Sequence, residues 1–303
     1  MRNWELGMKK LLNLLHLLAA FCFALAAFSG CSSAPKKPAE IQTGRTMAAN
    51  LLNMANQSAN QGRYEDALLI LEEARSFAVS TDDPQLRIKT STSRGNILFA
   101  LGREAEAFRE WESASAEGDA WGEAPLAALA RIYSIRASLV LLGREYPGGG
   151  EAADIAAEEY RTRILTEITA VKSNSLSTAA GYVTLGFAEK QLRRWAAAES
   201  AFRSALSIHD KNTSLEDAAY DWFLIASVRS VAENYNSALD ALWAAIRFDR
   251  RAENGFGLAS SWQAMGEVYQ KSGRLQESRS AFRRAAEIYR AIGLDEKAEE
   301  LEK

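Results

Sequence analysis

Side chains able to do chemistry are few in this chain and widely separated. Its 303 residues include two histidines and two cysteines. His16 and Cys22 sit inside an apolar N-terminal run, so a histidine-based triad or zinc site would have to rest on His209 alone. His209 falls near the end of a predicted helix, beside Asp210, where the helix C-terminus favours an imidazole. A surface histidine is expected there. Gly255-Phe256-Gly257-Leu258-Ala259-Ser260 spells part of a dinucleotide-binding turn, but no strand-like segment leads into it and the motif needs one. Glu72-Glu73 and Glu158-Glu159 are adjacent pairs, which point apart on a helix and suit solvated faces rather than a shared proton. No phosphate-loop spacing occurs. No catalytic residue, metal site or cofactor is expected, and the chain is read as not an enzyme.

The tryptophans are the other residues that invite a binding role. Trp111, Trp195, Trp222 and Trp262 recur at related positions, which packing explains. Trp121 is different, because it sits in the turn-rich stretch Glu117-Gly-Asp-Ala-Trp-Gly-Glu-Ala124. It either presents its ring to a partner or tucks beneath the loop. The formal net charge is −3, and no basic block follows Lys36-Lys37. Nucleic-acid binding needs a basic face and is not expected.

The elements that hold these residues repeat. Gly62-Arg63-Tyr64, Gly102-Arg103-Glu104, Gly143-Arg144-Glu145 and Gly273-Arg274-Leu275 each separate two apolar helical stretches, and glycine suits such turns. The residues after the turns, Tyr64, Glu104, Trp195, Tyr235 and Leu275, open a shared pattern. A small residue follows at Ala67, Ala107, Ala198, Ala238 and Ser278. A larger one comes four on, at Leu71, Trp111, Phe202, Leu242 and Phe282. Alanine returns three beyond, at Ala74, Ala114, Ala205, Ala245 and Ala285. Spacings of four and three define one helix face, and small residues there let two helices approach. The period is 40 residues except between Ala107 and Ala198, where 11 extra residues include Tyr146-Pro-Gly-Gly-Gly-Glu151. That excess is either a tolerated loop insertion or a lip beside a groove. A long second helix, about 151–172, is predicted beyond it.

Trp262-Gln-Ala-Met265-Gly266-Glu-Val-Tyr269 matches the tetratricopeptide signature W-x2-L-G-x2-Y with Met for Leu. Tyr182, Leu185, Gly186 and Trp222 repeat parts of it. From about Thr43 to Gly293 the chain therefore resembles tetratricopeptide-repeat proteins. That resemblance implies an all-α, right-handed solenoid of about six helix pairs, with a short polar capping helix over 294–303. The six residues beyond the usual period of 34 are expected between the second helix and the next repeat, where longer helices, as in repeats of the kinesin-light-chain type, would absorb them. The resemblance also implies that the first helix of each pair lines a concave groove. The expected lining is Tyr133, Phe187, Tyr220, Phe223, Asn96 and Lys89, with Leu52, Asn56, Thr92, Val183, Ser227, Gln263 and Glu267 on the same faces. Asn96 has only Lys89 near it in register, so a paired Lys/Asn clamp for a terminal carboxylate is not expected. The four aromatic residues suit a partner segment bearing apolar side chains, unless some of them turn into the core.

The N-terminus carries a separate signal. Lys9 and Lys10 precede the apolar run from Leu11 to Phe28, which is the layout of a secretory signal. Phe28-Ser29-Gly30-Cys31 resembles a bacterial lipobox, in which Leu is more usual where Phe28 stands. The resemblance implies that residues 1–30 are a lipoprotein signal peptide, that Cys31 is lipidated, and that 31–42 form a tether, leaving 43–303 as the solenoid domain. The alternative is a retained helix, since the run is long enough to span a bilayer. Ser32 rather than Asp after the cysteine implies the outer membrane, facing the periplasm. The expected partners are envelope proteins or peptide segments, with the membrane engaged through the N-terminal lipid; the oligomeric state is left open. The expected function is an envelope-anchored interaction scaffold or assembly factor. The alternative is a transporter-associated carrier of a small apolar ligand.

Overall fold

The computed structural model describes residues 43–302. The signal peptide, Cys31 and the tether lie outside the described residues. Within them the chain forms 13 helices and no strand: α1 (Thr43–Asn60), α2 (Tyr64–Ser80), α3 (Pro84–Ala100), α4 (Glu104–Ala120), α5 (Ala124–Glu145), α6 (Glu151–Val171), α7 (Ser175–Gln191), α8 (Trp195–Lys211), α9 (Leu215–Val231), α10 (Tyr235–Ala252), α11 (Gly255–Lys271), α12 (Leu275–Ala291) and the short α13 (Asp295–Glu300). Each odd-numbered helix up to α11 pairs with the next, giving six repeats in a right-handed α-solenoid, and α13 caps the last. Ala298 of the cap is fully buried, and Leu294 and Leu301 pack beside the core of the last repeats.

The 40-residue period resolves into 17-residue helices and three-residue turns. The residues beyond the usual period therefore lie within lengthened helices, which absorb the excess as expected. Start signals are local. Asp83 caps α3 by accepting from the Leu86 amide at 3.0 Å, with Pro84 in the first turn. Asn174 and Asn254 cap α7 and α11 in the same way. Stops use a left-handed residue in the turn. Gly62, Gly102, Gly122, Gly273 and Gly293 take it, and so do Asp82, Arg193, Thr213, Glu233 and Glu253.

The small–large–small face is the core of each repeat. Ala67, Leu71 and Ala74 are fully buried, as are Ala198, Phe202 and Ala205. In every repeat but the third, the large residue of the second helix meets a small residue 16 positions earlier on the first helix. A Cβ on Gly95 would fall 2.5 Å from Trp111, one on Gly186 2.3 Å from Phe202, and one on Gly266 2.6 Å from Phe282. Where the large residue is leucine, at Leu71 and Leu242, the opposing residue is alanine, at Ala55 and Ala226, and all four are buried. An aromatic ring needs the missing methyl; a leucine does not. The sum of the two volumes is held nearly constant, as close packing requires.

The third repeat differs. α5 has 22 residues and α6 has 21, and the turn between them has five residues where the others have two or three. Gly143 therefore lies inside α5 rather than in a turn, and Gly149 and Gly150 take the positive φ values instead. Arg193 of the fourth repeat holds this turn, donating to Asp154 at 2.6 Å and to the Gly148 carbonyl at 3.4 Å. Repeats are also laced by ion pairs, such as Arg161–Glu189 at 2.6 Å and Arg229–Glu199 at 2.8 Å.

Over residues 43–302 the superhelix winds far enough for the first repeat to reach the fifth and sixth. The Asn60 amide donates to Glu216 at the start of α9. The Tyr64 and Phe256 rings meet edge to face at 6.4 Å. Gly62 packs so tightly on this seam that a Cβ would come within 2.7 Å of Phe256 and 3.2 Å of Leu294.

Candidate functional site

The inner face of the solenoid encloses a cavity of about 780 Å³, within the range that ligand sites occupy. All six repeats contribute to it. Asn56, Asn60 and Tyr64 come from the first, Ser93 and Asn96 from the second, and Tyr133 and Arg136 from the third. Leu176 comes from the fourth, Glu216, Asp217, Tyr220, Phe223 and Asp249 from the fifth, and Asn254, Phe256 and Ser260 from the sixth.

One wall is built on Arg136. Its guanidinium donates to the Tyr220 hydroxyl at 2.7 Å. It also lies over the Phe187 and Tyr220 rings, 5.3 and 5.5 Å from their centroids, as cation–π pairing favours. Tyr220 and Phe223, three residues apart on α9, stack at 6.3 Å. Asn96 sits behind this wall with its side-chain oxygen accepting from the Trp111 indole at 3.2 Å.

Another part of the lining is acidic. Asp249, near the end of α10, is 2% exposed. It accepts one hydrogen bond, from the Asn254 amide at 2.8 Å. The Asn254 oxygen is held in turn by the Gly257 amide at 3.0 Å. A side chain at position 257 would put its Cβ 2.2 Å from the Asp249 carboxylate. Gly257 is thus there for the close approach of Asp249, and Gly255, the other glycine of the broken dinucleotide motif, for that of Ile292, 2.8 Å from where a Cβ would stand. Burial, with the charge of Glu216 adding to it, pushes the Asp249 carboxyl up to about 7.

Of the expected groove residues, Tyr133, Tyr220, Phe223 and Asn96 line the cavity. Phe187 stands behind Arg136 and packs edge-on against Phe202 at 5.8 Å, so it serves groove and core together. Lys89 is exposed and is not part of the lining; seven residues before Asn96, it lies about 10 Å along α3. Leu52, Thr92 and Val183 are buried between helices instead of facing the groove. Trp121 is 56% exposed on the turn before α5. His209 is not a surface residue. It is 7% exposed and its Nδ1 lies 2.6 Å from the fully buried Asp221. Burial raises the Asp221 carboxyl to about 6 even against the pull of His209. Burial lowers the His209 imidazole, but the hydrogen bond and charge of Asp221 outweigh this and leave it raised.

Arg136, Glu216 and Asn60 went unread in the sequence, although their spacing pointed to them. Arg136 is three residues from Tyr133, Glu216 four from Tyr220 and Asn60 four from Asn56. Asp249 gave no such signal, because it belongs to a second helix.

Residues 259–292 match the tetratricopeptide repeat family model. No curated protein matches the sequence. Among solved structures, a Rap protein complexed with competence and sporulation factor aligns with a TM-score of 0.58 at 12% identity, covering 86% of this chain and 74% of that one. The apo form of RapI aligns at 0.49 with 11% identity, covering 84% and 94%. BtubC from P. vanneervenii aligns at 0.49 with 16% identity, covering 81% and 92%. What the chain shares with the first of these, at such low identity, is the fold.

Proposed function

We propose that this chain, a tetratricopeptide-repeat protein, is an interaction scaffold that receives a segment of a partner in its inner cavity and is held at the bacterial cell envelope by lipid on Cys31. The observation that carries the reading is the convergence of all six repeats on one cavity. A solenoid uses its concave face for extended binding surfaces, and this one gathers rings, amides and charges there. The likeness in fold to a Rap protein crystallised with competence and sporulation factor is consistent with a bound partner. The anchoring rests on the basic start, apolar run and Phe28-Ser29-Gly30-Cys31. In this reading residues 1–30 are removed, 31–42 form the tether, and 43–303 work at the periplasmic face of the outer membrane. A carrier of a small apolar ligand fits less well, because Glu216, Asp217 and Asp249 line the cavity.

The test is photocrosslinking from position 223 in the lipidated protein in its native envelope, read by mass spectrometry. Crosslinks to one envelope protein are expected; crosslinks to none would overturn the scaffold. Cys31→Ser should move the protein from the membrane to the soluble fraction and abolish incorporation of labelled palmitate. Unchanged membrane retention without label would overturn the lipid anchor.

A further inference from the structure

Carboxylates buried or half-buried between the helices of this molecule, within a repeat or across two, face an arginine or a histidine. Glu117 pairs with Arg87 at 2.7 Å, Glu167 with Arg131 at 2.8 Å, Glu189 with Arg161 at 2.6 Å and Asp221 with His209 at 2.6 Å. The two carboxylates on the acidic wall of the cavity break this pattern. Glu216 accepts from Asn60 and Asp249 from Asn254, both neutral amides. A buried charge without a counter-charge is expensive, and Asp249 is 2% exposed. It has two oxygens, and the Asn254 amide engages Oδ1 alone. Asp217 adds a third carboxylate to the lining, against one basic side chain, Arg136. Arg136 is already committed to Tyr220 and Phe187. Beside the acidic wall stand the Tyr64 and Phe256 rings. Lys297 of the cap helix lies 6.0 Å from the Phe256 ring but is not part of the lining.

We propose that the cavity holds an organic cation, an alkylammonium or guanidinium group, between the Glu216 and Asp249 carboxylates and the rings of Tyr64 and Phe256. The inference rests on the reading of the cavity as a binding site and adds the chemistry of its guest. Two carboxylates supply charge-assisted hydrogen bonds to the cation head, and the ring faces attract it further. The aliphatic stem of a lysine, an arginine or a free amine fits the apolar lining that Leu176 and Ile97 provide. Burial raises the Asp249 carboxyl, which agrees with a site lacking its counter-charge. The ionisable group whose charge reaches Asp249 is Glu216, from α9, and the polar group facing it from the turn before α11 is Asn254.

The test uses the purified full-length protein and two probes, read by isothermal titration. The first is a set of end-blocked pentapeptide pools with one position fixed as lysine, arginine, norleucine or glutamate. The second is 1,5-diaminopentane. The lysine or arginine pools are expected to bind at least tenfold more tightly than the norleucine pool. Glu216→Gln and Asp249→Asn should each remove that preference while leaving the circular dichroism spectrum unchanged. Glu216 is only half-buried, so its variant stays informative even where the Asp249 variant alters packing. Binding of diaminopentane in competition with the peptides identifies a free amine as a guest, and silence of diaminopentane alongside peptide binding identifies a partner's side chain. Equal binding of lysine and norleucine pools, no binding of either probe, or an undiminished preference in both variants would overturn the cation site. Crosslinks from position 223 to an envelope protein would leave the scaffold standing in that case. Cation selectivity without crosslinks would leave the cation site standing and remove the scaffold.

Discussion

At the scale of single residues, Asp249 sets a pH dependence with a definite sign. Its carboxyl rises from 3.8 to about 7 in the folded protein, so the folded state holds the proton more tightly than the unfolded state. The stability it contributes is full below pH 3.8 and is lost as the pH rises through about 7. Asp221, raised to about 6, and His209, also raised, act in the same direction. Thermal melts should therefore show a lower midpoint at pH 8 than at pH 5. Asp249→Asn should melt higher than the parent at pH 8, with little difference near pH 4. The ceiling is about 4 kcal/mol at roughly 1.4 kcal/mol per pKa unit, reduced by water in the cavity. A parent protein that melts higher at pH 8 would contradict the assignment. The lining aromatics Tyr133, Tyr220 and Phe223 were legible in the sequence because they follow the helical spacing of repeat cores. Asp249 was not. Its place in the cavity depends on Gly257 from the next repeat, and no local pattern encodes a contact across repeats.

At the scale of elements, the 16-residue pairing of a small residue with a large one is the rule that every repeat but the third obeys. Gly186→Ala would place a methyl 2.3 Å from Phe202. Overpacking of this kind costs about 1–3 kcal/mol, against about 1 kcal/mol gained in helix propensity. The single variant should lose stability in chemical denaturation. Adding Phe202→Leu to it recreates the alanine–leucine pairing of the first and fifth repeats and should restore most of the loss. Additive losses in the double-mutant cycle would count against the pairing. Thr213 makes a second test, because a β-branched residue holds φ +57° in the turn before α9. Thr213→Gly should raise stability by about 1 kcal/mol, since the left-handed region penalises a Cβ by about that much. The repeat period and the turns at Gly62, Gly102 and Gly273 were readable from sequence. Gly143 misled because it carries the same Gly-Arg-Glu signature inside a lengthened helix. Propensity alone does not mark where α5 stops, and the three glycines at 148–150 do.

At the scale of residues 43–302 as a whole, the seam between the first repeat and the last two decides how rigid the cavity is. It consists of one ring pair, one amide–carboxylate contact and the close packing of Gly62. An edge-to-face aromatic pair adds about 0.5–1.5 kcal/mol beyond its area. Phe256→Ala should therefore raise amide hydrogen exchange in α1 and α2 by about 3- to 10-fold, while α7 and α8 keep their protection. Exchange confined to the immediate neighbours of position 256 would show that the seam does not hold the first repeat. The solenoid class was evident from the repeats, but this contact was not. It joins residues 192 positions apart and follows from the summed rotation of six units, which no single repeat displays.

That seam also fixes the copy number of the repeat. An open array tolerates the duplication or loss of a unit, because each unit touches only its neighbours. Here a gained or lost 40-residue unit would carry Tyr64 away from Phe256 and Asn60 away from Glu216, and the first repeat would no longer close the lining of the cavity. The lineage that carries this protein is then free to lengthen the helices of a repeat, as α5 and α6 have been lengthened, but not to change how many repeats there are.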